Sequence, residues 1–114
     1  MTSDIGMDIE EIKKVLQKDS MKGAVLIGTE DDRESYYPAI VEIDEKAGRV
    51  VYDYGLLCHC FAEEFRKADE KAGELVIDHD YETDGVEWVD YNVIRSLPYW
   101  GEHAPIVRED EEEE

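Results

Sequence analysis

The sequence "YYPAIVEIDEKAGRVVYDY", residues 36–54, has the clearest strand and turn pattern of the chain. Apolar residues alternate with polar ones before "DEKAG", and a second apolar run, "RVVYDY", follows it. Gly48 can take the positive φ that a tight turn between two strands requires. The pattern therefore predicts a β-hairpin over about residues 37–54. Because Pro38 has no amide hydrogen, it restricts the beginning of the first strand to a sheet edge or a bulge.

One helix is predicted before this hairpin and one after it. The first covers about residues 8–19, where apolar residues recur on one face; Asp8 is its expected N-cap, and Glu11 completes a capping box. The second covers about residues 55–71, and Gly73 is expected to end it.

A third helix and two further strands complete the predicted fold. The helix covers about residues 84–97, with Asp84 as its N-cap and Pro98 at its end. Short apolar runs predict strands at about residues 24–28 and 104–108. These elements predict an α+β fold in which a small antiparallel sheet packs against three helices.

The charge of the chain is extreme for 114 residues: the net charge is −19. Residues 109–114 are all acidic and are expected to form a disordered tail. They carry six of these charges, which leaves −13 for residues 1–108, the predicted single domain. Such a surface repels nucleic acid and anionic membranes and attracts basic partners. We therefore expect no direct binding of nucleic acid or membrane; solubility or adaptation to salt is the alternative explanation of the acidity.

The cysteines indicate a reducing compartment. Cys58 and Cys60 are the only two, and they are too close for a disulfide framework. The sequence shows no secretory signal and no long apolar run, so we expect a cytoplasmic protein.

The triplet Cys58, His59 and Cys60 is a weak candidate for a metal site, since C-x-C can supply two of the four ligands of zinc. The other ligands would come from Asp78, His79, Asp80 or His103. On a helix, however, residues two apart point about 200° away from each other. The opposing interpretation places Cys60 in the core and Cys58 and His59 near its rim. We expect no cofactor, and a metal- or small-ligand-binding domain stays the alternative function.

Two segments, "GRVVYDYGLLCHCF" and "GVEWVDYNVIRSLPYWGEHAPIV", resemble a family of small uncharacterised phage and prophage-type proteins. In that family a Tyr-Asp-Tyr stretch leads into a helix, and a later helix precedes a Leu-Pro-Tyr-x-Gly-x-x-x-Pro loop. The matching positions are Tyr52, Asp53, Tyr54, Tyr91, Asn92, Arg95, Pro98, Tyr99, Gly101, Glu102 and Pro105. The resemblance spans roughly residues 24–107; here the segment between the last two helices is longer and the tail is very acidic. It implies a small α+β fold and no catalytic activity.

The loop after the third helix is expected to be mainly structural. Its structural residues are Asn92, Arg95, Pro98, Gly101 and Pro105. Asn92 is expected to bond to a neighbouring loop backbone, and Arg95 to pair with Asp53 or Glu102. Trp100 either covers an apolar gap at the end of the sheet or, with Tyr99, forms an exposed anchor.

No motif for catalysis or phosphate binding is present, so we expect a protein that is not an enzyme. The interpretation that the charge favours is a small interaction protein whose carboxylates bind a basic partner surface in place of phosphates. The expected contact residues are Glu30, Asp31, Asp32, Glu34, Asp80, Glu82 and Asp84, with Tyr99 and Trp100 as apolar anchors.

Overall fold

The computed structural model describes residues 8–74 and 79–109, which form an α+β fold. The helices are α1 (Ile9–Leu16), α2 (Tyr54–Ala72) and α3 (Tyr81–Val89), and the strands are β1 (Ile40–Asp44), β2 (Arg49–Asp53) and β3 (Ile106–Arg108). The predicted fold class is confirmed. Apart from Glu109, the expected acidic tail lies outside the described residues.

The central hairpin is confirmed, although it is shorter than predicted. Strands β1 and β2 pair antiparallel, and Gly48 has φ of 66° in the turn that joins them. Pro38 lies in a 3₁₀ helix, Arg33–Ala39, which delays the start of β1. The pairing register of β1 with β2 shifts between Ile40 and Glu42, so the strand is irregular just after the proline, as a bulge would make it.

The sheet is mixed rather than antiparallel, and β2 is its middle strand. Strand β3 pairs parallel to β2, with Val51 opposite Ile106. The prediction of an antiparallel sheet was therefore wrong in this respect. The reason is topological: α2 and α3 form the crossover that a parallel neighbour requires, whereas a two-residue apolar run carries no information about direction.

The strand predicted at residues 24–28 is absent, and these residues have irregular structure. Besides a local turn in which the Ala24 amide donates to the Met21 carbonyl, two long-range hydrogen bonds hold them. The amide of Val25 donates to the His103 carbonyl at 3.1 Å, and the amide of Ile27 donates to the Tyr52 hydroxyl at 3.1 Å. The Tyr52 side chain is fully buried, so its hydroxyl satisfies an amide that a strand partner would otherwise bind.

Helices α1 and α2 are both present as predicted, but α1 is shorter than expected. Asp8 is the N-cap residue of α1, as predicted, but its side chain makes no capping hydrogen bond, so the predicted capping box is wrong; α1 ends at Leu16. Helix α2 is capped by Asp53, whose carboxylate accepts from the Leu56 amide at 2.9 Å. Gly73 ends it in the left-handed conformation, as predicted, with φ of 76°.

Helix α3 begins three residues earlier than predicted, because Asp80 rather than Asp84 is its N-cap. The Asp80 carboxylate accepts from the Thr83 amide at 3.1 Å, whereas Asp84 contacts the His79 ring. The chain then continues as a π-helical turn, Asp90–Ile94, in place of an α-helix up to residue 97.

Helix α3 approaches the backbone of α2 closely at Gly85. Gly85 is buried at this crossing, and a Cβ on it would lie 2.3 Å from the Cys58 carbonyl oxygen and 3.1 Å from the Ala62 amide nitrogen. A side chain at this position would therefore force the two helices apart. The crossing fixes both helices relative to each other.

We predict that Gly85→Ala lowers the free energy of unfolding by about 2 kcal/mol, measured by urea denaturation. In an unobstructed helix the same change is favourable, since alanine is a better helix former than glycine by about 1 kcal/mol. The matched control is Gly55→Ala in α2, where the nearest atom to a new Cβ is 3.4 Å away. We expect Gly55→Ala to leave the stability unchanged or raise it. A Gly85→Ala protein as stable as the wild type would contradict the described crossing.

Candidate partner-binding site

Aromatic rings connect the core to the surface across α2 and α3. Tyr36 and Phe61 are buried and stack with their ring centroids 4.3 Å apart. The Phe61 centroid lies 6.1 Å from that of Trp88, and Phe65 meets Trp88 edge-on at 5.7 Å. The Trp88 side chain is 43% exposed. A large exposed ring is thus held in place by rings that belong to or adjoin the core.

These rings form part of an open groove of about 400 Å³ between α2 and α3, which we call the aromatic groove. Its lining residues are Phe65, Asp84, Glu87, Trp88, Tyr91 and Asn92. The two charged residues among them are both acidic. The groove therefore combines an apolar surface with carboxylates, which suits a side chain that has an apolar stem and a cationic head.

The π-helical turn shapes the far end of the aromatic groove. The Asn92 side chain donates to the Trp88 carbonyl at 3.2 Å. It therefore bonds within its own helix, and the prediction of a bond to a neighbouring loop backbone was wrong. The Arg95 guanidinium lies 5.1 Å from the centroid of the Tyr91 ring, in place of the predicted pairing with Asp53 or Glu102. This contact shows that the Tyr91 ring accepts a guanidinium on its face.

Basic side chains lie around a different cavity. A cleft of about 480 Å³ beside α1 is lined in part by Lys13, Lys22 and Arg33. In a chain with 12 lysines and arginines against 31 acidic residues, this placement matters. The lining of the aromatic groove, by contrast, includes no lysine or arginine, and the Arg95 guanidinium lies on the ring of one lining residue, Tyr91.

The acidic loop at residues 30–34 is only partly available for contacts. Glu30 and Asp31 are exposed. Asp32 organises the loop, since its carboxylate accepts from the backbone amide three residues earlier at 2.6 Å. Glu34 forms an exposed ion pair with Lys13 at 3.3 Å.

The three predicted contact residues at the beginning of α3, Asp80, Glu82 and Asp84, have separate roles. Asp80 is the N-cap, and the hydrogen bonds from Thr83 hold the pKa of its carboxyl below the usual value. Glu82 lies 2.9 Å from the His59 ring nitrogen. Asp84 contacts His79, and this hydrogen bond raises the pKa of His79. Of the three, only Asp84 lines the aromatic groove.

The loop that closes the fold is built as a structural turn. Pro98 is at the start of a 3₁₀ turn, Gly101 has φ of 92°, and Pro105 is fully buried. Trp100 is half-buried and packs against the core, whereas Tyr99 is 85% exposed. Trp100 is therefore partly a core residue, and Tyr99 is the freer of the two predicted anchors.

The two thiols lie in the opposite arrangement to the one expected. Cys58 is buried, whereas Cys60 is only partly buried. Burial raises the pKa of the Cys58 thiol and raises that of Cys60 to about 11. Neither thiol is thereby favoured as a metal ligand, because metals bind the thiolate.

A different cluster has metal-ligand geometry. Among residues 8–74 and 79–109, a ring nitrogen of His59 and carboxylate oxygens of Glu63 and Glu82 lie within 4.8 Å of one another. Of the predicted triplet, this cluster includes His59 but neither Cys58 nor Cys60. Of the predicted additional ligands, His103 lies by the hairpin turn, 3.0 Å from the Ala47 carbonyl, and Asp78 is outside the described residues.

Comparison with protein-family models, with curated proteins and with solved structures found no match to this chain. The resemblance to small phage proteins therefore stays a prediction. In the part of the chain that the structure describes, no helix has both the length and the apolar character needed to cross a membrane.

The aromatic groove was missed in the sequence. Its signal is the helical spacing of Asp84, Trp88 and Tyr91, which places an acid and two rings on one side of a helix. The more evident pattern in the sequence is the apolar stripe of Val86, Val89, Val93 and Leu97 on the same helix. In the structure Val89 and Val93 are buried, whereas Val86 is 37% exposed and Leu97 is partly buried.

We predict that Cys60 reacts slowly with Ellman's reagent in the folded protein, measured in a Cys58→Ser variant. A thiol with a pKa of about 11 has a thiolate fraction at about pH 8 that is more than about 100-fold below that of a free cysteine. The control is the same variant unfolded in guanidinium chloride, where the rate should rise to that of a free cysteine. Equal rates in the folded and unfolded protein would contradict the described burial.

Proposed function

We propose that the protein is a small, non-catalytic interaction protein that binds a basic polypeptide segment in the aromatic groove. The observation that carries this proposal is the exposed Trp88 ring bordered by the carboxylates of Asp84 and Glu87. A lysine or arginine of the partner would pair with a carboxylate while its stem, or an adjacent apolar residue, packs on the rings.

The geometry of Trp88 favours binding because the ring is ordered before the partner arrives. Contacts with Phe61 and Phe65 hold it at the surface, so less side-chain entropy is lost on association. Tryptophan is enriched among the residues that dominate binding energy at interfaces. The contact of Arg95 with Tyr91 is an intramolecular example of the interaction that we propose for a partner cation.

The charge of the chain supports the same class of partner. With −13 on residues 1–108, long-range attraction speeds the encounter with a basic surface and disfavours acidic ones. A protein surface that binds nucleic-acid phosphates is basic, so its charge is opposite to that of this chain. A phage-type factor that occupies such a surface on a cytoplasmic host or viral protein fits this chemistry.

The test is a fluorescence anisotropy titration with a labelled arginine-rich peptide that contains two central leucines. We expect binding that weakens as the salt concentration rises from about 50 to 300 mM. Trp88→Ala should weaken binding about tenfold or more, and Trp88→Phe less, since a ring then remains beside Phe65. Glu87→Gln should weaken binding several-fold, whereas Glu10→Gln, an equal change of charge on α1, should have the smaller effect.

Two results would overturn the proposal. One is the absence of peptide binding at low salt. The other is a larger loss in Tyr99→Ala and Glu30→Gln than in Trp88→Ala, because that result would place the contact surface on the two loops. Circular dichroism of each variant verifies that it is folded.

A further inference from the structure

The surface where α2 crosses the start of α3 carries a second cluster, formed by His59, Glu63 and Glu82. His59 Nδ1 lies 2.9 Å from Glu82 Oε2, and one ligand atom from each residue lies within 4.8 Å of the others. Ligands about 2.0–2.2 Å from a tetrahedral zinc ion are about 3.4 Å apart. Small side-chain rotations therefore suffice to bring the three atoms to one ion. From this geometry we infer that the cluster binds a divalent transition-metal ion of the zinc type.

The sequence spacing of the ligands fits this inference. His59 and Glu63 are four residues apart on α2, so their side chains lie one above the other on the same face. Glu82 reaches them from the first turn of α3. An ion held by all three would join the two helices, and its binding would stabilise the folded chain.

The backbone beneath the cluster is already fixed. The Gly85 backbone meets the Cys58 carbonyl, which directly precedes His59, and Gly85 is three residues after Glu82. Glu63 is oriented as well, because the Arg66 guanidinium donates to its Oε1 at 2.8 Å. Glu63 Oε2 stays available to a metal ion. In metal sites, ligating carboxylates are commonly oriented in this way by a hydrogen bond from a residue that does not itself bind the metal.

The ligand chemistry selects the kind of ion. One imidazole with two carboxylates suits zinc, cobalt or manganese, whereas magnesium and calcium prefer oxygen ligands alone. Three protein ligands leave a fourth position for water or for a side chain of a partner. The cluster shares no residue with the aromatic groove, so the two sites can be tested separately.

The experiment is a calorimetric titration of metal-free protein with zinc chloride at about pH 7, in the presence of excess magnesium. We expect one equivalent of zinc to bind. His59→Ala and Glu82→Gln should each weaken this binding about 100-fold or more, since each removes a ligand. Cys60→Ser and Glu10→Gln are the controls, and both should bind as the wild type does. Cobalt chloride gives a second readout, because a site without thiolates shows no sulfur-to-metal charge-transfer absorption.

Three results would overturn the inference. The first is no zinc uptake at one equivalent. The second is uptake that His59→Ala leaves unchanged, which would show diffuse binding to carboxylates. The third is loss of binding in Cys60→Ser with thiolate absorption in the cobalt spectrum, which would assign the ion to the C-x-C triplet.

Discussion

The close approach of Gly85 to the Cys58 carbonyl oxygen determines the positions of both proposed binding surfaces. It exists because glycine has no Cβ, and a Cβ at this position would lie 2.3 Å from that oxygen. The close crossing brings Trp88 of α3 to Phe61 and Phe65 of α2, which forms the aromatic groove. It also brings the first turn of α3 to His59. One backbone contact thus positions both the aromatic groove and the proposed metal-binding cluster.

Charge and packing act together at the aromatic groove. An acidic surface alone attracts any cation, and its contribution is weakened by salt. An exposed ring alone selects no sign of charge. We propose that the rings and carboxylates around Trp88 act together in this way, the carboxylates attracting a basic segment and the rings retaining its apolar part.

Local sequence patterns predicted the hairpin and α2 because their signals are local: a glycine turn between apolar runs, and a glycine at the helix end. The parallel direction of β3 depends on the helical crossover and is not encoded near Ile106. Two aspartates, Asp80 and Asp84, could each cap the N-terminus of α3 according to the sequence. The structure has Asp80 as the N-cap, because its carboxylate accepts a hydrogen bond from the Thr83 amide. The groove was missed because exposure of Trp88 is a tertiary property: α2 covers Gly85 and leaves the indole ring open.

The most direct test uses the indole N–H signals of the two tryptophans, Trp88 and Trp100, in a ¹H–¹⁵N correlation spectrum. The arginine-rich peptide is added in steps at low salt. We expect the Trp88 indole signal to shift with saturation and the Trp100 signal to stay in place, since Trp100 is outside the groove. A shift of the Trp100 signal with an unmoved Trp88 signal would contradict the assignment of the aromatic groove as the partner surface.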